Sequence, residues 1–569
     1  MMKFRTGKKK LVYSMVLVML MYIFSFSISS TAFAAGATLP YKEYEAESGS
    51  TNGSVYGPSR TYLSWEAEAS GRKYVRLDAS GKYVQWTASA AANTMVVRYS
   101  IPDAAAGGGT NYTLSLYING VYTQKINLTS QYAWVYGSYP WTNNPANGSG
   151  HKIFDEVGFF TASNIPSGAT VKLQKDSGDT APYYLIDLID LETVSAYAQP
   201  ANSLSITSYG ATANDGTDDR TAIVNCITAA KSQSKTVWIP AGDFNIKSSM
   251  IDVNNVTIGG AGMWYSKLVG ARSGFNMTGN NCKFYNFKID GTTTARDDNT
   301  YVDNAFYGSA GTGSVIESVW VEHKKCAVWI NGGTNGLSIK KCRFRDLMAD
   351  AVNFCSGASN CIVQNSQIRY SGDDALATWS PSGQTGCSGN KFDGNTIQLP
   401  WLASGIALYG GSNHSVTNNL ICDTVTGGGG IYISSNFNPV ACSGTFTISG
   451  NALYRCGSNE NYLGYAPGAI WINAQDNDMT GVTVNVTNNT ISDSTKSGIS
   501  IQGPKTLYNT KISTNTISGA GSYGIWITNN AKGNTTFEYV TVSGAAQGGI
   551  LNNAGTNFVV WKGTGNSGW

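Results

Sequence analysis

The sequence has 569 residues, a length that accommodates about two to four domains at roughly 150 residues each. Charged residues make up only 13% against 42% apolar, which excludes an intrinsically disordered chain and a coiled coil, since both depend on abundant charge. With 65 glycines and 32 tyrosines, the composition points to an all-β protein with many turns.

The N-terminus reads as an address. Lys8, Lys9 and Lys10 form a basic cluster, Leu11–Ile28 is apolar, and Ala32-Phe33-Ala34 is a small-x-small cleavage signal. This is the pattern of a secretory signal peptide over residues 1–34. The alternative is a retained anchor, because the apolar run is long enough to span a bilayer. Loss of Lys3, Arg5, Lys8, Lys9 and Lys10 takes the formal charge from +3 to −2. A secreted, nearly neutral protein follows, with no membrane association after cleavage. A nucleic-acid partner is not expected, for want of a basic face. Ten cysteines lie beyond residue 34. An even count in a secreted chain permits disulfides, but several sit in strand-like patterns where buried free thiols serve equally well.

Residues 38–193 show short alternating runs separated by Gly, Asn and Ser clusters, among them Tyr83–Thr87, Tyr112–Ile118 and Val171–Gln174. This period predicts an antiparallel β-sandwich. It opens on Tyr41-Lys-Glu-Tyr-Glu-Ala-Glu and closes on Leu185-Ile-Asp-Leu-Ile-Asp-Leu-Glu. The pairing resembles the jelly-roll carbohydrate-binding modules of families 6 and 35. That resemblance implies a structural calcium held by Glu45, Glu47 and Asp187, whose hard oxygen ligands suit the ion. Solvent-facing glutamates on an edge strand are the alternative. Trp134 and Trp141 lie in a loop-like stretch and are weak candidates for gripping sugar.

A Pro-containing linker, 194–202, leads to the second domain, 203–569. Asp218 and Asp219 precede an apolar-periodic run and suit a helix N-terminus, a structural rather than catalytic role. From residue 250 a short unit recurs, as in Asn365-Ser-Gln-Ile, Asn395-Thr-Ile, Asn418-Asn-Leu-Ile, Asn489-Thr-Ile and Asn515-Thr-Ile. Units of this size cannot bury a core alone and must stack. Asn tolerates a left-handed backbone at the turns. The prediction is a right-handed parallel β-helix.

A β-helix offers a groove along one sheet face, suited to a chain polymer. Two neighbouring coils supply acids. Ala349-Asp-Ala-Val-Asn-Phe is followed by Gly372-Asp-Asp-Ala-Leu-Ala, so Asp350 precedes Asp373 by 23 residues and Asp374 by 24. That spacing is about one coil and places Asp350 beside Asp374, with Asp373 as lateral neighbour. Close carboxylates cannot all ionise, and the resulting split makes an acid and a base, the pair glycoside hydrolysis needs. A calcium site or an Asp turn ladder is the alternative. His323 can line the groove or be a structural histidine. Trp379, Tyr409 and Trp471 can stack on pyranose rings or belong to the core.

The ordered motifs Gly260-Ala-Gly-Met-Trp-Tyr, Val319-Trp-Val-Glu-His, Ala349-Asp-Ala-Val-Asn-Phe, Gly372-Asp-Asp-Ala-Leu-Ala and Ile406-Ala-Leu-Tyr-Gly-Gly resemble glycoside hydrolase family 87, which contains α-1,3-glucanases and mycodextranases. The likeness covers about residues 200–560. It implies inversion on a β-helix, with Asp374 as general acid and Asp350 and Asp373 near the attacking water. The family pattern has Gly after each Asp motif where this chain has Ala351 and Ala375. A further acid is expected on the next coil, where Asp393 is nearest.

The expected protein is thus a secreted, monomeric glycoside hydrolase acting on a neutral α-glucan, either α-1,3-glucan or mixed α-1,3/α-1,4-glucan (nigeran). It would need no organic cofactor. Its alternatives are a dextranase, a pectate-type lyase using Arg343, Arg345 or Arg369 as base, and a non-catalytic polysaccharide-binding surface protein.

Overall fold

A computed structural model describes residues 35–458, 465 and 467–569. The signal-peptide segment 1–34 lies outside the described residues. Ala35–Trp569 form one compact unit.

The first part is the predicted sandwich. One antiparallel sheet runs in the order Asp155–Ile165, Ala92–Ser100, Tyr184–Glu192, Tyr74–Leu77, Ser54–Tyr56, with Lys42–Glu45 also paired to Tyr184–Glu192. The other holds Ser50–Thr51, Tyr83–Thr87, Thr170–Gln174, Asn111–Ile118 and Val121–Thr129. Alternate residues such as Val84, Leu114, Leu116, Val171 and Leu173 point between the sheets and are buried.

Among the described residues there is one α-helix, Arg220–Ser232. Its buried face is Ala222, Ile223, Cys226, Ile227 and Ala230, the three-to-four spacing of an amphipathic helix. It packs over the first coil and shields the end of the core. Asp218 and Asp219 are structural, as expected. Asp219 accepts from the Thr212 and Asn245 backbone N–H groups, and Asp218 from those of Lys247 and Ser248.

Everything beyond is a parallel β-helix. A 24-stranded sheet runs from Ser203–Ser205 to Phe558–Lys562, and a 12-stranded sheet from Ile251–Val253 to Gly548–Asn552. Inward residues stack coil on coil, for example Ile316, Ile339, Val363, Phe392, Val416, Ile448 and Val486. The recurrent asparagines form a buried ladder. Asn395 donates from its backbone N–H and Nδ2 to Asn419 Oδ1 at 2.9 and 3.0 Å, and the pattern repeats through Asn451, Asn489 and Asn515. The residue before each rung is left-handed: Gly394, Asn418, Gly450, Asn488 and Thr514. All ten cysteines are free thiols, and all but Cys422 are buried.

The sandwich is not a module tethered by a flexible linker. Its strand Tyr184–Glu192 is buried along its whole length. Glu156 pairs with Arg345 and Arg369, Asp190 with the same two arginines, and Glu192 with Arg343. The three arginines named as lyase bases are therefore committed to this seam. Trp134 and Trp141 are buried there too, Trp141 against Trp401 and His151 and Trp134 against Trp65 and Tyr136, rather than open to sugar.

Candidate active site

The 12-stranded sheet presents its outer face to a cleft of about 830 Å³. Alternation along each strand sends Val352, Phe354, Leu376, Ile406 and Leu408 into the core. One outward row, in register across coils, reads Tyr307, Trp329, Asn353, Ala377, Ala407, Tyr432, Trp471. The two alanines in the middle of this row are fully buried, and Trp329, Asn353 and Tyr432 on either side of them line the cleft.

Asp350 and Asp374 occupy equivalent positions, each two residues before strands that pair Val352 with Leu376. The side chains of Ala351 and Ala375 that follow them are fully buried in the core, which explains the demand for a small residue there. Gly372 is required by close approach: a Cβ would lie 2.5 Å from the Met348 carbonyl and 2.3 Å from the Trp401 ring. This packing sets the Asp373–Asp374 pair. Oxygens of Asp350, Asp373 and Asp374 all lie within 4.8 Å of one another.

Their environments differ. Asp374 is 3% exposed. It accepts from the Ser404 backbone N–H at 2.8 Å and the Tyr409 hydroxyl at 2.7 Å. Burial, reinforced by Asp373, pushes it up to about 7 against those hydrogen bonds. Asp350 is 5% exposed. Burial and the charges of Asp373 and Asp374 raise it well above the ordinary carboxylate range, and Asn353 Nδ2 donates to it at 3.3 Å. The Asp373 side chain is 26% exposed and is met by Arg296, whose Nη1 lies 2.6 Å from Oδ2. Arg296 is in turn held by Asp298 at 2.9 Å, and Asp298 accepts from the Tyr139 hydroxyl at 2.6 Å.

The structure redistributes the other predicted residues. Trp379 lines the cleft, half-buried, with an unpartnered Nε1. Tyr409 lines it as the hydrogen-bond donor to Asp374 rather than as a stacking platform. Trp471 is 1% exposed and stacks on Tyr432 at 3.8 Å, so that face is already covered. His323 is not in the cleft. It is buried at the seam between Asp155 at 3.1 Å and Asp290 at 2.8 Å and stacks on Tyr132; despite burial, these two acids raise it well above its ordinary value. Asp393 belongs to the 24-stranded sheet, where Thr417 and Asn418 donate to it, and it does not reach the acids.

At the sandwich edge, Asp187 is committed to Arg98 and to the Ser70 backbone N–H. Glu45 Oε2 and Glu47 Oε2, by contrast, are shielded and unpartnered. The two glutamates fit a cation; Asp187, already neutralised by a guanidinium, fits it poorly.

Sequence reasoning missed Arg296, Asp298, Tyr139, Asn353 and Tyr432. The run Ala295-Arg-Asp-Asp-Asn is a concentration of charge in a charge-poor chain and was a usable signal. Nothing in the sequence marked Tyr139, which arrives from the other fold.

Two family models match the chain: α-1,3-glucanase catalytic domain D1 over residues 38–194 and α-1,3-glucanase catalytic domain D2 over 220–566. The sandwich thus matches as part of a catalytic unit. No curated protein sequence gives a significant match. Among solved structures, the catalytic unit of a thermostable GH87 α-1,3-glucanase from Streptomyces thermodiastaticus is 33% identical, with a TM-score of 0.86, covering 94% of this chain and 98% of that one. The Agl-KA catalytic domain is 32% identical, TM-score 0.85, covering 93% and 99%. A third GH87 α-1,3-glucanase, 25% identical with a TM-score of 0.81 over 94% and 100%, is solved in complex with nigerose. Alanine variants of that enzyme type, also solved with sugars, replace three aspartates spaced by 23 and 24 residues, the spacing of Asp350, Asp373 and Asp374. The chain belongs to the GH87 α-1,3-glucanase family, and it is a glycoside hydrolase.

Proposed function

We propose that the protein is secreted and cleaves α-1,3-glucosidic linkages in α-1,3-glucan or nigeran, with inversion at the anomeric carbon. The observation that carries this is the cluster of three aspartates lining the cleft, with a single arginine against three acids. Asp374, held up to about 7, retains its proton near neutral pH and delivers it to the glycosidic oxygen. Asp373, paired with Arg296, takes the proton of a water that attacks the anomeric carbon from the opposite face, and Asp350 positions that water. The carbon–oxygen bond breaks, the leaving sugar keeps the donated proton, and the new hydroxyl is β.

The spacing favours one competing outcome. Inverting sites with two carboxylates set them about 6.5–9.5 Å apart, and retaining sites about 5–5.5 Å; here the oxygens lie within 4.8 Å. Inversion therefore requires the acid and the base to stand further apart with glucan between them than they do here. Proton NMR of the first products decides: β-anomers are expected, and initial α-anomers sink the inverting scheme.

Release of reducing sugar from α-1,3-glucan, nigeran, dextran, laminarin and polygalacturonate, for wild type beside Asp374→Asn, tests the substrate. Cleavage of the first or second, lost in the variant, is expected. Cleavage of dextran alone would make the enzyme a dextranase. The division of roles has its own assay: a glycosyl fluoride needs no acid, so Asp374→Asn keeps turnover on it and Asp373→Asn does not. The reverse pattern exchanges the two residues.

The sandwich is proposed to assist by binding glucan on its five-stranded face, where Tyr83 and Tyr117 flank Lys172 and Tyr122 packs edge-on against Tyr117. Glu45 and Glu47 would hold a structural calcium at the end of the strand Lys42–Glu45 in the other sheet, without Asp187. The enzyme acts as a monomer with no organic cofactor.

A further inference from the structure

We propose that Tyr139, a residue of the sandwich, is a positioning residue of the hydrolytic site, acting through Asp298 and Arg296 on Asp373. This rests on the reading of Asp373 as part of the reacting cluster. Tyr139 belongs to the loop between Val135–Tyr136 and Pro145–Asn147, and its side chain lines the cleft of the other fold. Its hydroxyl donates to Asp298 Oδ2 at 2.6 Å. Its ring lies 5.2 Å from the Arg296 guanidinium carbon and is itself braced by Trp141 at 5.2 Å.

Arg296 needs this support. It sits in the long connection between the strands Cys282–Asp290 and Phe306–Ser309, with no strand of its own to orient it. Its contacts are Asp298, the Gly372 carbonyl, Asp373 and the Tyr139 ring. A guanidinium is directional, and its fork reaches Asp373 only if its far side is fixed. The sandwich supplies one wall of that clamp and the β-helix loop the other. The arrangement gives the seam between the folds a catalytic consequence: Trp141 packs on Trp401, and Trp401 lies against Gly372, which carries the acids.

The test uses the full mature chain and soluble nigerotetraose, measuring kcat and KM separately together with the unfolding midpoint. Asp373→Asn is expected to abolish turnover. Tyr139→Ala and Asp298→Asn are expected to lower kcat about tenfold with KM within about twofold, as misplacement of a catalytic group does. Tyr139→Phe, which keeps the ring over Arg296, falls between wild type and Tyr139→Ala. A rise in KM alone for Tyr139→Ala would make the residue a sugar-stacking platform and overturn the proposal. So would an unchanged kcat in both Tyr139→Ala and Asp298→Asn beside a dead Asp373→Asn. If Asp373→Asn itself stays active, the reading of the cluster fails, whatever Tyr139 does. A fall in kcat that tracks only a lowered unfolding midpoint, equal for Phe and Ala, would reduce the residue to a structural one.

Discussion

Two clusters of acids lie along the same coils, one under the sandwich and one in the cleft, and they are balanced differently. At the seam, Glu156 and Asp190 face Arg345 and Arg369, with Arg98 close by. Burial pushes Glu156 up, but the three guanidiniums outweigh it and hold it down to about 2. In the cleft, Asp350, Asp373 and Asp374 have one arginine among them, and burial keeps Asp374 up at about 7. Asp350 and Asp374 are about as hidden from water as Glu156 and Asp190, while Asp373 is partly open. The difference is compensation: acids matched by cations join two folds, whereas acids left in excess store a proton that chemistry can use.

Breaking the cleft cluster is expected to have the largest effect. Asp374→Asn should lower hydrolysis by about 10²- to 10⁴-fold, the usual worth of a positioned acid, with no loss in the unfolding midpoint, because it removes a buried repulsion. Reducing-sugar release and thermal unfolding of the same sample check both halves.

The seam should respond the other way. Arg369→Met leaves Glu156, Asp190 and Glu43 short of a cation and should cost about 3–5 kcal/mol of stability. Denaturant unfolding measures it. A loss of activity with unchanged stability would contradict the separation of roles.

The Asn ladder is a neutral control between the two. Asn451→Ala removes the acceptor for Asn419 and the donors to Asn489 and the Val416 carbonyl, and should cost about 1–3 kcal/mol as buried groups lose partners. Activity per folded molecule should be unaffected.

The smallest effect is a matter of pH, and its sign differs between the clusters. Asp374 lies above its ordinary value of 3.8 in the folded chain, so its contribution to stability is complete below about pH 4 and is lost as pH rises through about 7. Glu156 lies below its ordinary 4.5; its contribution is present above that value and is lost as pH falls through about 2. Unfolding midpoints across pH 4–8 should therefore decline less steeply in Asp374→Asn than in wild type. Hydrolysis should fall above about pH 7 as Asp374 loses its proton.

Much of this was determined by the sequence alone. Period-two alternation announces the sandwich strands, and the recurring Asn-x-aliphatic unit announces a stacked solenoid, because both patterns are local and repeat. The aspartate pairing was legible for the same reason: in a β-helix one coil of sequence converts directly into one step of space, so Asp350 and Asp374 had to be neighbours. That conversion fails wherever contacts cross coils irregularly or pass between folds. Tertiary structure alone decided that Arg296 meets Asp373, that Tyr139 reaches the cleft, that Tyr409 donates to Asp374, and that Trp471 is covered by Tyr432. It also sent His323 and three arginines to the seam and separated Asp187 from the glutamates. The seam contacts depend on which face of the helix the sandwich covers, a choice made by charge compensation and packing between residues more than a hundred positions apart, and the contacts within each fold depend on how loops of different coils or strands meet, which no local periodicity encodes.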